Sequence, residues 1–192
     1  MPNALVLVRH GETAWSLSGQ HTSATDIALT DEGRRQAQRL AATLAGRQFA
    51  LVLTSPMQRA TETARLAGFG DRAVVCPDLV EWGYGEYEGR TTPEIREERD
   101  DWSLWRDGAP GGETAEEVGG RADRVIAVAR GADGDVLAFA HGHIMRVVAA
   151  RWLDLAPEDG SRFVLGTART SELGWERETA AIVQWNVEPP TA

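Results

Sequence analysis

Three short apolar runs, Ala4–Val8, Phe49–Leu53 and Asp135–Ala140, constrain the fold more than any other feature of the chain. Each is followed by a helix signal or a polar turn. Continuous apolar runs of this length suit strands buried on both faces of a parallel sheet. Between the first two, Thr30-Asp31-Glu32-Gly33 offers an N-cap and an acidic first turn. Ala37, Leu40, Ala41 and Leu44 then recur at helical spacing until Gly46 stops them. The result is a βαβ unit.

The same logic extends along the chain. Ser55-Pro56 reads as an N-cap with proline at the first helical position, opening a helix through about Leu66. A second amphipathic helix starts near Thr114 and buries Val118, Ala122, Val125, Ile126 and Ala129. A third starts at Gly142, with Ile144, Val147, Val148 and Trp152 on one face. In the tail, Arg162–Leu165, Thr170–Trp175 and Ala181–Trp185 read as short strands at a sheet edge, and Glu188–Ala192 as a frayed end. The expected architecture is a three-layer α/β sandwich with a mainly parallel central sheet flanked by helices. Residues 1–192 read as one domain carrying a small cap-like insertion at about 84–113, where Gly, acidic residues and Trp replace long apolar runs.

Composition narrows the chemistry. At 192 residues, 42% hydrophobic and 26% charged, the chain reads as a globular protein. Its net charge of −9 repels nucleic acid and anionic membranes, so neither is an expected partner. An anionic ligand must be captured by a local cluster of bases. All 20 basic residues are Arg, which removes Schiff-base and P-loop lysines and leaves guanidinium as the permanent cation. The lone Cys76 cannot form an internal disulfide and reads as a buried small apolar residue. Met1-Pro2-Asn3 leads straight into the first apolar run without a signal sequence, and no run approaches the roughly 20 residues that span a bilayer, so a cytoplasmic protein is expected.

In an open α/β sheet, ligands bind beyond the carboxyl ends of the strands. Arg9-His10-Gly11-Glu12 follows the first run, Thr54-Ser55-Pro56 with Arg59 the second, and His141-Gly142-His143 the third. Two histidines and two arginines from three separate segments thus meet at one edge. Such a set suits phosphoryl transfer: Arg9 and Arg59 fork onto nonbridging oxygens, helix N-termini after Ser55 and His141 add N–H donors, and a neutral imidazole attacks phosphorus in line. Zinc on His10, His141 and His143 is the rival reading. The flanking arginines would repel a dication, and no Asp stands at ligand spacing, so neither a metal nor another cofactor is expected.

Leu7-Val8-Arg9-His10-Gly11-Glu12-Thr13, Thr54-Ser55-Pro56-Met57-Gln58-Arg59-Ala60, Glu81 leading into Gly85 and Glu88-Gly89, Gly112-Glu113-Thr114, and Ala140-His141-Gly142-His143 together resemble the histidine phosphatase superfamily, whose fold is phosphoglycerate-mutase-like. The likeness spans Leu5 to about Leu173. It implies that His10 is the nucleophile that becomes phosphohistidine. It also implies that Arg9, Arg59 and His141 hold the phosphoryl oxygens and that Glu81 protonates the leaving oxygen. A carboxyl with its pKa raised by partial burial beside Trp82 would suit that last role.

Within this resemblance the region Thr91–Gly111 is acidic and short, and Ser16 and Gln20 stand where cofactor-dependent mutases tend to carry Asn and Arg. Those departures favour a phosphatase over a mutase. The segments Trp15–Thr22, Glu81–Gly85, Trp105–Gly108 and Phe139–His143 are similar to the branch containing sedoheptulose 1,7-bisphosphatases and bacterial mutase-like acid phosphatases. The resemblance implies hydrolysis of a small, sugar-like phosphate or bisphosphate. Ser16, Gln20, His21, Thr22, Trp82, Tyr84, Trp105, Arg106, Gly142, His143 and Arg146 are the candidate substrate-binding residues. Two alternatives come from other classes: a noncatalytic phosphate-binding module, and a phosphatase of protein phosphohistidine. An exposed tail strand offers a second copy a place to pair, so a homodimer is a candidate assembly.

Overall fold

The computed structural model describes residues 3–190, so the readings of Met1-Pro2 and of the last two residues lie outside the described part. Strand β1 (Leu5–Arg9) leads through a short helix α1 (Ala14–Ser18) and a long one, α2 (Asp31–Leu44), to β2 (Leu51–Thr54). Helix α3 (Gln58–Leu66) and β3 (Ala73–Val75) follow, then the short α4 (Thr92–Glu98) and α5 (Leu104–Asp107). Helix α6 (Ala115–Arg130), β4 (Val136–Ala140), α7 (Gly142–Trp152) and the hairpin of β5 (Thr170–Glu176) and β6 (Thr179–Val187) complete the chain.

The six strands form one sheet in the order β3-β2-β4-β1-β5-β6. The first four run parallel, and β5 and β6 add an antiparallel edge. This bears out the mainly parallel α/β sandwich. The apolar runs are continuous because alternate residues point to two different helical layers. Leu5, Leu7, Val136, Ala138 and Ala140 share a core with Val118, Ala122 and Val125 of α6 and with Ile144 and Val148 of α7. Val6, Val8, Leu137 and Phe139 pack with Leu40 and Leu44 of α2 and Ala64 of α3. Each fully buried Leu or Val contributes ~1.5–3 kcal/mol, so both layers are held to the sheet from its centre.

Register decides where the strands end. Arg9 lies opposite Ala140, and Thr54 opposite Phe139. The ladder continues one residue further: the His10 amide donates to the Ala140 carbonyl at 3.0 Å, and the Ser55 amide to the Phe139 carbonyl at 2.9 Å. His10, Ser55 and His141 therefore emerge side by side. The loop after His10 is pressed against the start of α2, where Thr30 caps the Gly33 amide. A Cβ on Gly11 would sit 2.3 Å from the Gly33 carbonyl oxygen, and one on Gly33 would sit 2.1 Å from that of Glu12. Only glycine allows that approach.

Several expectations need correction. Helix α3 starts at Gln58, not at Pro56, because Met57 is still extended. Arg162–Leu165 is not a strand: a 3-10 helix runs from Pro157 to Arg162, and the Leu165 carbonyl accepts from Arg9 Nη1 instead of a ladder partner. The edge strand β3 escaped the sequence reading because it is three residues long and leaves Val74 and Val75 exposed. Cys76 is only partly buried. Glu188 pairs with Arg169 at 2.7 Å and Pro189 is buried, so the tail is tethered there. Among the described residues no helix is long and apolar enough to cross a membrane.

Candidate active site

His10 is held by its own loop. Its Nδ1 lies 2.7 Å from the Gly11 carbonyl, an acceptor, so Nδ1 carries the proton and donates. Nε2 keeps its lone pair. Burial, reinforced by the neighbouring Arg9 and Arg59, pushes the His10 pKa from 6.5 down to about 3, which keeps the ring neutral near pH 7. Arg9 emerges beside it from β1. One Arg9 donor goes to the Leu165 carbonyl, while its buried Nε has no hydrogen-bond partner. A buried guanidinium N–H left unsatisfied by protein is suited to an incoming anion.

His141 lies behind His10, with ring centroids 5.2 Å apart. Arg59 Nε donates to His141 Nδ1 at 3.1 Å. Nδ1 is therefore the acceptor, and Nε2–H donates to Ser55 Oγ at 2.7 Å. Burial lowers the His141 pKa, as do the charges of Arg59 and Arg9 and the His10 ring, so this imidazole is neutral too. Arg59 is fully buried, and its other donors reach the Thr25 and Ser23 carbonyls at 3.1 and 3.0 Å. It ties α3 to the loop that follows α1.

Glu81 closes the opposite side. Its Oε1 accepts from the Trp82 and Ile144 amides at 2.9 and 2.8 Å, and its Oε2 from the His143 amide at 2.9 Å. Two of these amides belong to the first turn of α7, whose dipole favours an anion. Burial alone would raise the Glu81 pKa. His143 and the amides outweigh it and hold the carboxyl well below 4.5. This corrects the expectation of a raised pKa: the sequence showed the apolar neighbour Trp82 but not the three donors. Two of the α7 amides expected to meet phosphate, those of His143 and Ile144, are likewise already bonded to Glu81.

Arg9, His10 and Glu81 face one cavity of about 270 Å³. Arg9, His10, Glu81, His21, His143 and Arg146 are among the residues lining it. Tyr84 and His143 are joined at 2.8 Å between the phenol oxygen and Nδ1, and burial keeps the phenol neutral by pushing its pKa well above 10. The His21 ring is tilted against that of Tyr84, centroids 4.7 Å apart, and burial lowers its pKa to about 4. Arg146 is laid over the Trp105 ring at 4.6 Å and donates to the Gly160 carbonyl at 3.1 Å. All four histidines of the chain thus lie in or directly behind this cavity.

The sequence profile of the histidine phosphatase superfamily (branch 1) matches residues 5–188. The chain belongs to the histidine phosphatase superfamily. It is 46% identical over 177 residues to an acid phosphatase of Mycobacterium tuberculosis, covering 90% of this chain and 86% of that one. It is 38% identical over 182 residues to the sedoheptulose 1,7-bisphosphatase of Saccharomyces cerevisiae, covering 78% and 67%. The solved structure of an open reading frame product of Mycobacterium tuberculosis superposes with a TM-score of 0.93 at 41% identity, covering 98% and 99% of the two chains. The family and fold expected from the five motifs are those found.

In this histidine phosphatase, eight of the expected substrate-side residues line the cavity: Ser16, Gln20, His21, Thr22, Tyr84, Gly142, His143 and Arg146. Three do not. Trp82 is fully buried in the core, donating Nε1–H to the Glu113 carbonyl at 2.8 Å. Trp105 stands behind the wall, edge-on to Trp82 and tilted against His143. Arg106 is exposed and pairs with the adjacent Asp107 at 2.8 Å. Arg59 and His141 also stand behind the lining, gripping each other. Trp15, Thr92 and Leu165 line the cavity without having been singled out. Ser55 was read only as a helix cap, although its place at the end of β2, level with His10 and His141, was a usable signal.

Proposed function

We propose that this histidine phosphatase hydrolyses the monoester of a small phosphorylated metabolite, a sugar phosphate or bisphosphate, through a phosphohistidine on His10 and without a metal ion. The observation that carries the reading is the state of His10: neutral, proton fixed on Nδ1 by the Gly11 carbonyl, and lining the cavity beside an unsatisfied Arg9 Nε. The Nε2 lone pair forms a bond to phosphorus as the ester P–O bond breaks on the opposite side. Arg9 takes nonbridging oxygens, and Arg59 and His141 complete the polar collar behind the nucleophile. The guanidinium groups that suit a phosphoryl group disfavour a dication.

Glu81 donates the proton that turns the leaving alkoxide into an alcohol, then accepts one from the water that cleaves the P–N bond. Because its carboxyl is ionised before substrate arrives, the proton enters with the substrate. A phosphomonoester has a second pKa of about 6, so the monoanion that carries this proton prevails at acidic pH. Turnover of alkyl phosphates should therefore rise as pH falls through that value, while His10 stays neutral. Arg146, held over Trp105, faces a second anionic group or a hydroxyl of the substrate. The names of the two relatives support the substrate class. The edge strand β6, which carries no charged side chain over its nine residues, supports pairing of two copies.

The test is direct. His10→Ala should release no phosphate from p-nitrophenyl phosphate, and EDTA should leave the wild-type rate unchanged. An active alanine variant, or turnover that EDTA abolishes, overturns the proposal. A panel of sugar phosphates, bisphosphates and 3-phosphoglycerate, read for both free phosphate and isomer, separates hydrolysis from mutase chemistry.

A further inference from the structure

The segment that carries Glu81 has no regular structure between the 3-10 turn Pro77–Leu79 and Gly83, yet its backbone is fully gripped from one side. Arg121, on α6 and almost buried, forks onto Glu113 with Nε to Oε1 at 2.8 Å and Nη2 to Oε2 at 2.7 Å. Its Nη1 donates to the carbonyls of Asp78 and Val80, both at 2.8 Å, and Nη2 reaches the Glu81 carbonyl at 3.4 Å. Glu113 grips the other end of the segment. Its Oε2 accepts from the Gly83 amide at 2.7 Å, and its own amide donates to the Gly83 carbonyl at 2.9 Å. Neither Arg121 nor Glu113 lines the cavity.

One planar ion pair thus satisfies backbone groups on both flanks of Glu81, leaving the carboxylate a single position on the three amides of Trp82, His143 and Ile144. We propose that Arg121 and Glu113 are positioning residues for proton transfer by Glu81, acting through the backbone of residues 78–83 and not on the substrate. This rests on the reading of Glu81 as the proton donor. A lysine at 121 keeps the charge but loses the fork, and a glutamine at 113 keeps the shape but weakens the pair, so both variants relax the clamp without emptying it.

The experiment compares an alkyl phosphate, whose leaving alcohol needs a proton, with p-nitrophenyl phosphate, whose leaving group needs little. Wild type, Glu81→Gln, Arg121→Lys and Glu113→Gln are each first checked for an intact melting transition. For the two clamp variants kcat/KM on the alkyl ester, which reports phosphoryl transfer and not the later attack of water common to both esters, should fall at least about tenfold, towards the 10²–10⁴-fold range of general acid catalysis, with a smaller loss in kcat/KM on the nitrophenyl ester. Equal losses on both esters, or no loss on either, overturn the clamp. Should Glu81→Gln itself lose both activities equally, the acid role of Glu81 fails first and the inference falls with it. Should a variant not fold, the other of the pair decides.

Discussion

At His10 the decisive question is which ring nitrogen holds the proton, and a single backbone carbonyl answers it. The same logic fixes His141, whose Nδ1 accepts from Arg59 and whose Nε2–H has only Ser55 Oγ to meet. Ser55→Ala should therefore leave a buried N–H without an acceptor and lower stability by about 1–3 kcal/mol, read from the urea midpoint. An unchanged midpoint would mean that another group accepts that proton. Arg9, His10, Arg59, Glu81 and His141 were legible because each follows a strand end or sits at motif spacing. The ionisation of Glu81 was not. It depends on the side chain of His143 and on the amides of His143 and Ile144, more than 60 residues away in sequence, and no local pattern reports them. Arg106 misled for the opposite reason, because its partner is the adjacent Asp107 and not the distant cavity.

Among the elements, α6 does the most to place the clamp. Thr114 caps it through a reciprocal box, its side chain accepting from the Glu117 amide while Glu117 returns to the Thr114 amide at 2.8 Å. Glu113 and Arg121 lie on either side of that cap. Thr114→Ala should cost about 0.5–2 kcal/mol of stability. A calorimetric change below the lower figure would show that packing of Val118 and Ala122 alone holds the helix start. Buried strands and helices with a buried apolar stripe were readable from the sequence: β1, β2, β4, α2, α6 and α7 fall within a few residues of expectation. Short ones were not. β3 is only three residues long with Val74 and Val75 exposed, and Phe163-Val164-Leu165 carries a strand-like apolar run but follows the 3-10 helix Pro157–Arg162 without joining the sheet.

At the scale of the whole molecule, a chain of net charge −9 gathers its four histidines and three of its arginines around one cavity. Stability is coupled to pH by that choice. His10 and His21 take up protons near 6.5 when unfolded but near 3 and 4 when folded. The unfolded state thus binds more protons between those values, and the stabilisation present above 6.5 is lost as pH falls towards 4. Melting temperature measured without phosphate should drop across this window, and His10→Asn should flatten the drop. A melting temperature independent of pH there would mean that neither ring is held neutral. The central claim concerns the covalent intermediate. Rapid mixing with a labelled phosphomonoester, followed by a denaturing quench and intact-protein mass measurement, should reveal one added phosphoryl group, labile in acid and stable in alkali, that maps to the peptide containing His10. Turnover with no such species at any time, or with the label on another residue, would contradict the account.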